Sequence, residues 1–435
     1  MRKLLLASAA SLLAVGTAFA QPVTQVAAPG TVAVHLHGYF QFSIGAYGSS
    51  KMEGTDANGV AYKLNDVGTA GDFRLFPGFD GQTINGIWYG VQAELRTLKS
   101  NAGAGKNNNS TDSGDGFGGL YVQRAYGYIG TPTYGFARFG QTDSAFSLSQ
   151  VGVVENFGDG AQFNSDGGAN LMLPTGPSLF VYGDSSALYS TNKVVYESPK
   201  FETAYGNVSG IVGFEPNSNG MKQGYSSNGG ADWATASSVA CGTLASDTSD
   251  VSCAKRRRNT VDVSLSYADD LEGFANKASI AYLHGAPLGN LTGPQQYDTL
   301  SVFEGGLQTT YAGLTVGGNI KFGQVNNGYA FKPKGARNGL GYVVGASYNA
   351  GPYTIGVSYF NQQSAGSYTT GSSYVRTDSQ YGIATGADYQ LAKPIFLFVQ
   401  YEYGHQHQPK TSAGVITSSG NTQEQVVAVG TTIKW

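Results

Sequence analysis

The sequence predicts an all-β fold, a transmembrane antiparallel β-barrel of about sixteen strands. Three observations predict it. Apolar and polar residues alternate in about sixteen stretches, the connections between them are alternately short and long, and the chain begins with an export signal. Tight turns at one rim and long loops at the other are typical of an outer-membrane β-barrel. Whether there are sixteen or eighteen strands stays open at this point.

The alternation is clearest near the end of the chain. Val427 and Val429 fall on one parity of the stretch, and Thr432 falls on the other. Successive side chains of a strand point to opposite faces, so such a stretch has one apolar wall and one small or polar wall. Residues 314–322 and 381–391 alternate in the same way. A soluble β-sandwich would show the same pattern, so alternation alone does not distinguish the two folds.

The connections between these stretches differ in length in a regular order. Short ones include Phe79–Thr83, Thr131–Tyr134, Ala312–Gly313 and Lys393–Pro394. Long ones include Ser49–Ala70, Lys99–Gly118, Asp143–Gly183, Pro216–Asn259 and Gln362–Asp378. This order favours an up-and-down barrel in which neighbours along the chain are neighbours in the sheet.

The N-terminus reads as a secretory signal peptide. Met1–Lys3 is basic, Leu4–Val15 is apolar and Ala18–Ala20 has the small residues of a cleavage site. We therefore expect residues 1–20 to be a cleaved signal peptide and residues 21–435 to form one barrel domain. The apolar core is too short to span a bilayer as a helix. An exported chain of this kind spans a membrane only as a closed barrel, because lipid offers no partner to an open sheet edge.

Composition supports the barrel and excludes other classes. The chain has 63 Gly, 28 Tyr and 22 Phe, and only 13% of its residues are charged. Tyr and Phe suit the aromatic girdles of a membrane barrel, and few soluble domains have so little charge. Loss of Arg2 and Lys3 with the signal would take the formal net charge from −3 to −5, which argues against a nucleic-acid partner.

The sequence predicts no catalytic, cofactor-binding or metal-binding site. The five His residues do not form a recognisable pairing with Ser or Asp of the kind that an outer-membrane hydrolase needs. His35 and His37 share one strand face, as do His405 and His407, but neither pair has an obvious third ligand. We therefore expect a protein that is not an enzyme.

Three segments resemble a known family. Residues 123–130 read QRAYGYIG, residues 134–141 read YGFARFGQ and residues 192–201 read NKVVYESPKF. The first two resemble the fourth and fifth strands of general Gram-negative bacterial porins, and the third resembles the strand and turn after that family's third loop. The chain also ends on an aromatic residue, Trp435, where these proteins usually end in Phe.

The resemblance implies a function. It implies a homotrimeric outer-membrane porin with sixteen strands per subunit, through which small hydrophilic solutes and ions diffuse passively. It also implies that the long third loop, from Asp143 to about Gly183, folds into the lumen and narrows the pore. Outer-membrane lipid and lipopolysaccharide are the implied partners outside the barrel.

Opposing charges at a narrow point are how such pores select their solutes. The resemblance implies that Arg74 and Arg124 supply basic side chains on the barrel wall at this constriction. Arg74 has the opposite parity from Phe73 and should face inward, because an outward Arg at the bilayer midplane costs about 2–4 kcal/mol. Arg124 shares its parity with Val122 and Tyr126, which both suit lipid, but the same cost favours the lumen.

Three further residues complete the predicted pore constriction. Arg138 either lines the pore or holds a loop of a neighbouring subunit. Glu155 and Asp159, on the third loop, are either pore-facing carboxylates or solvated loop acids. Many relatives carry Lys where this chain has Tyr39, which predicts a mild preference for cations.

A substrate-selective channel of the sugar-binding type is the alternative function. Tyr39, Tyr47 and Trp88 lie on polar strand faces and are suited to an aromatic path for sugars. Conductance distinguishes the two, because a large, stable, ohmic step favours the general pore and block by a sugar favours the selective one.

Two features of the long loop 216–259 remain. Cys241 and Cys253, in an exported protein, predict a disulfide. The run Lys255–Arg258 is either solvated loop surface or a site for lipopolysaccharide phosphates, which suit the bidentate geometry of Arg.

Overall fold

The computed structural model describes residues 27–50, 54–56, 58–63, 65–97, 120–163, 191–217, 257–287, 297–366, 377–408, 410–412, 415–418 and 420–435. Sixteen strands within these ranges form one antiparallel sheet. They are β1 (Val32–Ser49), β2 (Val67–Gln82), β3 (Trp88–Thr97), β4 (Leu120–Thr131), β5 (Gly135–Thr142), β6 (Thr191–Glu197), β7 (Gly206–Asn217), β8 (Arg257–Leu271), β9 (Phe274–Pro287), β10 (Leu300–Tyr311), β11 (Leu314–Gln324), β12 (Gly339–Ala350), β13 (Tyr353–Ser364), β14 (Asp378–Ala392), β15 (Ile395–His407) and β16 (Asn421–Lys434). Shorter strands are Gly54–Thr55, Ala61–Tyr62, Phe201–Thr203, Lys410–Ser412 and Val415–Ser418.

The sheet closes on itself. Each strand pairs with its neighbours along the chain, and β1 pairs with both β2 and β16. The backbone of Gly38 completes the closure, since its N–H and carbonyl exchange hydrogen bonds of 3.1 Å with those of Trp435. A closed barrel has no free edge strand. The predicted fold is confirmed, and the number of strands is sixteen.

The two faces of the wall follow the predicted alternation. In β16, Val427 and Val429 point outward and are about half exposed, whereas Val426 and Ala428 point inward and are buried. The same order holds in β11 and β14. The outward face is therefore a band of apolar side chains, and the inward face carries the small and polar ones.

Tight turns close one rim of the barrel. The link between β10 and β11 has a positive φ at both Ala312 (48°) and Gly313 (86°), and the link between β8 and β9 repeats this at Glu272 (54°) and Gly273 (85°). Two consecutive positive φ angles are characteristic of a type I′ hairpin turn, whose twist matches that of the strands.

The long connection after β5 begins with a short helix, α1 (Ala145–Leu148). Ser144 caps it, because its hydroxyl accepts a hydrogen bond of 3.2 Å from the backbone N–H of Ser147. Across the described ranges, no helix has both the length and the hydropathy to cross a membrane.

Candidate functional site

Three arginines inside the barrel share one carboxylate. Glu94 on β3 lies between β2 and β4, and its Oε1 is 3.3 Å from Nη1 of Arg74. The same carboxylate contacts Nε of Arg96 and Nη1 of Arg124. All four side chains face the lumen side of the wall and are almost completely buried. A buried charge needs a partner, and here each arginine has one.

Two further carboxylates extend this arrangement. Asp72 accepts a hydrogen bond of 2.9 Å from Nε of Arg74 and one of 3.0 Å from the hydroxyl of Tyr39. Asp143, directly after β5, accepts from Nε of Arg124 with both oxygens, at 3.0 and 2.9 Å. We call this set the ion-pair ladder; it consists of Asp72, Arg74, Glu94, Arg96, Arg124 and Asp143.

A β-bulge explains the direction of Arg124. Glu94 pairs with Arg124, but the next residue, Leu95, pairs with Val122, so Gln123 is an extra residue on β4. The bulge reverses the alternation: Val122 is 47% exposed on the outer face, whereas Arg124 and Tyr126 are buried on the inner face. The prediction that Val122 shares a face with Arg124 was wrong for this reason.

Arg138 on β5 lies apart from the ladder. Its Nε contacts the carboxylate of Glu197 on β6, and its guanidinium carbon is 5.4 Å from the centre of the Tyr126 ring. The side chain is 7% exposed and belongs to the inner wall.

The chain after β5 runs along the inside of the barrel. We call residues 144–163 the inner segment. The backbone N–H of Phe146 donates to Asp262 on β8 at 2.9 Å, and the side-chain amide of Asn319 on β11 donates to the carbonyl of Val151 at 2.9 Å. Both partners belong to the inward-facing parity of their strands.

The second half of the inner segment reaches the last strands. The backbone N–H of Gly158 donates to Asp388 on β14 at 2.9 Å. On β15, Gln400 accepts from the N–H of Asp159 at 2.7 Å, and Glu402 accepts from that of Phe163 at 3.3 Å. The described part of the third loop therefore follows the inner wall from β8 to β15, and residues 164–190 lie outside the described residues.

The two acids predicted on this loop lie within the inner segment. Glu155 is 8% exposed and Asp159 is 4% exposed. Asp159 also accepts the backbone N–H of Ala161 at 3.0 Å, and its charge is close to those of Asp388 and Glu402. Their burial is unlike that of acids on a solvated loop surface.

A second connection also folds inward, which the sequence analysis missed. Between β11 and β12, Val325, Tyr329 and Phe331 are buried against Phe146 of α1. The rings of Phe146 and Tyr329 meet edge to face at 5.8 Å. The same apolar cluster includes inward residues of β9 and β10, namely Ala281, Leu283, Leu300 and Val302. The aromatic residues of this connection, Tyr329 and Phe331, were the sequence feature that could have predicted its burial.

The comparisons with known proteins agree with this geometry. A family model for Gram-negative porins matches residues 7–408. The chain belongs to the Gram-negative porins. No curated protein matches the sequence.

Solved structures with this fold include other outer-membrane proteins. The outer membrane channel DcaP of Acinetobacter baumannii is 13% identical, with a TM-score of 0.53 over 93% of this chain and 97% of that one. A loop L8 deletion mutant of OmpT of Vibrio cholerae is 13% identical, with a TM-score of 0.50 over 93% of this chain and 99% of that one. These likenesses concern the fold.

The porin is an outer-membrane protein that forms a channel for passive diffusion. Its outward apolar face suits a bilayer, and its inward face carries the ion-pair ladder and the inner segment. Of the other ladder residues, Glu94 and Arg96 share the polar face of the third strand, which makes them second-tier pore-liners by sequence. Asp72 and Asp143 were not singled out from the sequence as members of the site. Asp72 shares the parity of Arg74, and Glu94 that of Arg96, so alternation was the available signal.

Some predictions fall outside the described residues of the porin. Cys241 and Cys253, the signal peptide and the rest of the third loop are among them, and they stay predictions. Of the basic run after Cys253, Arg257 is buried and its Nη2 is 2.8 Å from Glu215, whereas Arg258 is exposed.

Proposed function

We propose that the constriction of this porin lies between the ion-pair ladder and the inner segment. Arg74 and Arg124 would form the wall side, with Arg138 further along the inner wall on β5, and Glu155 and Asp159 would form the loop side. The observation that carries this is the path of the inner segment, which is hydrogen-bonded to inward groups from β8 to β15. The passage then runs along the remaining wall, where the ladder lies.

The charges along this passage favour cations. Each ladder arginine contacts a carboxylate, so the wall is compensated rather than basic. Buried charged side chains in the described part comprise twelve acids and eight bases. The acids are Asp72, Asp80, Glu94, Asp143, Glu155, Asp159, Glu215, Asp262, Glu304, Asp378, Glu402 and Glu424; the bases are Arg74, Arg96, Arg124, Arg138, Lys193, Arg257, Lys321 and Lys332. Fixed charge of one sign in a low-dielectric wall enriches the opposite ion.

The reversal potential across a salt gradient tests this proposal. In planar bilayers with unequal KCl concentrations on the two sides, we expect a reversal potential whose sign indicates a mild preference for cations. The double variant Glu155→Gln/Asp159→Asn should reduce it, because two carboxylates beside the passage lose their charge. Glu202→Gln, at an exposed acid in the hairpin between β6 and β7, is the matched control and should leave it unchanged. Marked anion preference of the unmodified porin would contradict the proposal.

A substrate-selective channel is the second candidate, and one observation favours it. His37 and Phe76 face the lumen side of β1 and β2 with their rings stacked at 5.1 Å, and Tyr39 follows at 6.3 Å from Phe76. Flat aromatic faces beside polar groups are typical of sites for small organic ligands. A neutral trisaccharide should then block the current, and Phe76→Ala should remove the block while Phe73→Ala, on the other face of β2, keeps it. Current that the sugar leaves unchanged would exclude this candidate.

The assembly is also part of the proposal. The resemblance to general porins implies a homotrimer, and native mass measurement in detergent should give three times the mass of one chain. Arg258, exposed at the start of β8, supports contact with lipopolysaccharide phosphates at the long-loop rim. Arg258→Gln should weaken binding of lipopolysaccharide to the purified porin, and unchanged binding would contradict this contact.

A further inference from the structure

Five glycines lie in a row on the inner wall. They are Gly306 on β10, Gly317 on β11, Gly345 on β12, Gly356 on β13 and Gly386 on β14, all on the inward-facing parity. We call this set the glycine track. Gly317 is directly opposite Gly345, and Gly356 is directly opposite Gly386. The other two steps of the track are offset by two residues, since Gly306 is opposite Asn319 and Gly345 is opposite Ser358.

The first part of the track is filled by backbone of the inner segment. A Cβ atom at Gly306 would overlap the carbonyl oxygen of Val151. A Cβ atom at Gly317 would be 2.9 Å from the carbonyl oxygen of Gly152. Separations under about 3 Å are far inside ordinary packing contacts, so neither position has room for a side chain.

The second part takes side chains of the inner segment. A Cβ atom at Gly345 would be 2.9 Å from Cβ of Val154. At Gly356 it would overlap the ring of Phe157, and that ring also reaches Gly386. Phe157 is 1% exposed, so this recess holds almost the whole side chain.

Space, and not backbone conformation, accounts for glycine at these positions. None of the five has a positive φ, so any residue could adopt their backbone conformation. Glycine inside a strand weakens the strand. Gly305, next to Gly306 but on the outer face, has the side chain of Ile320 as its nearest neighbour, 3.9 Å from its Cβ position. A Cβ atom at each of the five track positions would be 2.9 Å or less from another atom.

We propose that the glycine track sets the width of the channel by letting the inner segment lie flush against the wall. A side chain on the track displaces the segment toward the ion-pair ladder and narrows the passage. This inference rests on the proposed constriction. It adds a set of positioning residues on β10–β14 that contact no solute and still determine the largest solute that passes.

Gly356→Leu tests the proposal directly, because its side chain needs the space of the Phe157 ring. We expect a lower single-channel conductance, and liposome swelling that falls more for a neutral trisaccharide than for a monosaccharide. Val357→Leu, on the lipid-facing side of the same strand, is the matched control and should behave as the unmodified porin. A folded Gly356→Leu porin with unchanged conductance and unchanged sugar ratio overturns the proposal.

A double variant distinguishes displacement of the inner segment from a general loss of barrel structure. In the double variant Gly356→Leu/Phe157→Ala the ring is gone and the new side chain occupies its recess. Conductance and the sugar ratio should return toward those of the Phe157→Ala single variant, which is the non-additivity expected of residues in contact. Two effects that simply add would overturn the proposal.

If Gly356→Leu does not fold, a cross-link tests whether the inner segment stays on the glycine track in the open channel. Cβ atoms at residues 154 and 345 lie close enough for a disulfide after a small shift. The variant Val154→Cys/Gly345→Cys, with Cys241 and Cys253 replaced by Ser, should form this disulfide. Its conductance should be the same before and after the disulfide is reduced. No disulfide, or conductance that changes on reduction, would show that the segment leaves the track in the open channel. Swelling with neutral sugars does not depend on ion preference, so failure of the proposed selectivity is read separately, from the reversal potential.

Discussion

Gln41 on β1 donates a hydrogen bond of 3.0 Å from its side-chain amide to the backbone carbonyl of Asp159, 118 residues further along the chain. The same amide nitrogen is 3.0 Å from the hydroxyl of Thr432 on β16. The far end of the inner segment is therefore tied to the two strands that close the barrel.

Gln41→Ala should loosen this end of the segment. A hydrogen bond worth about 1 kcal/mol corresponds to roughly a fivefold change in the population of a displaced state. We expect more frequent transient closures in single-channel recordings. Phe40→Ala, which truncates the neighbouring side chain on the lipid face, is the control. An unchanged closure rate would show that the contact does not hold the segment.

Glu94→Gln should change both stability and ion preference. Removing one member of a buried ion pair costs about 3–5 kcal/mol, because charge is left uncompensated. Here Arg74, Arg96 and Arg124 all lose a shared partner. We expect a lower denaturant midpoint in detergent and a reversal potential shifted toward anions. Glu202→Gln makes the same charge change at an exposed site, and an equal shift there would rule out a special role for Glu94.

Phe331→Ala should loosen the second inward connection. Truncating a buried Phe costs about 3–5 kcal/mol, and Phe331 is 2% exposed in the cluster that includes Phe146. The expected result is faster amide hydrogen exchange in residues 325–338 and in α1, with the barrel strands unchanged. Val34→Ala, at a position 79% exposed on the outer face, should leave this exchange unchanged. Exchange as slow as in the unmodified porin would show that Phe331 does not hold the two inward-folding connections together.

Val429→Arg tests the lipid-facing wall. Val429 is near the middle of β16 and points outward. Arg on the lipid face costs about 2–4 kcal/mol at the bilayer midplane and about 0–1 kcal/mol near the interface. Unfolding in vesicles should therefore show a larger loss for Val429→Arg than for Asn421→Arg, which lies at the start of the same strand. Equal losses would place both positions outside the hydrocarbon layer.

Cys241 and Cys253 should form a disulfide. On the chain-entropy model a closure of this length contributes about 3 kcal/mol. Mass spectrometry of the alkylated porin, without and with reductant, measures the free thiols directly. Two labelled cysteines before reduction would contradict the pairing, and a thermal midpoint that reduction lowers would give its contribution.

The wall of the barrel is the part that local pattern predicts well. Val427 and Ala428 take opposite faces because side chains alternate along any strand, and that property belongs to a single stretch of sequence. The direction of Arg74 followed from the same rule. A barrel of about sixteen strands followed from the repetition of this pattern along the chain, and the structure decided between sixteen and eighteen. The porin family was implied by the resemblance of residues 123–130, 134–141 and 192–201.

The lumen is the part that pattern could not predict. Gln123 is an extra residue whose bulge appears only once β3 and β4 are paired, and it turns Arg124 inward. The glycine track becomes a surface only when five strands are in register, and the inner segment lies on it by contacts that span more than a hundred residues. Alternation is encoded one strand at a time, whereas register and the packing of long connections depend on residues far apart in sequence. The amino-acid order therefore specified a barrel with an apolar outer surface, and tertiary contacts decided the register of its strands and the path of the inner segment along its inner wall.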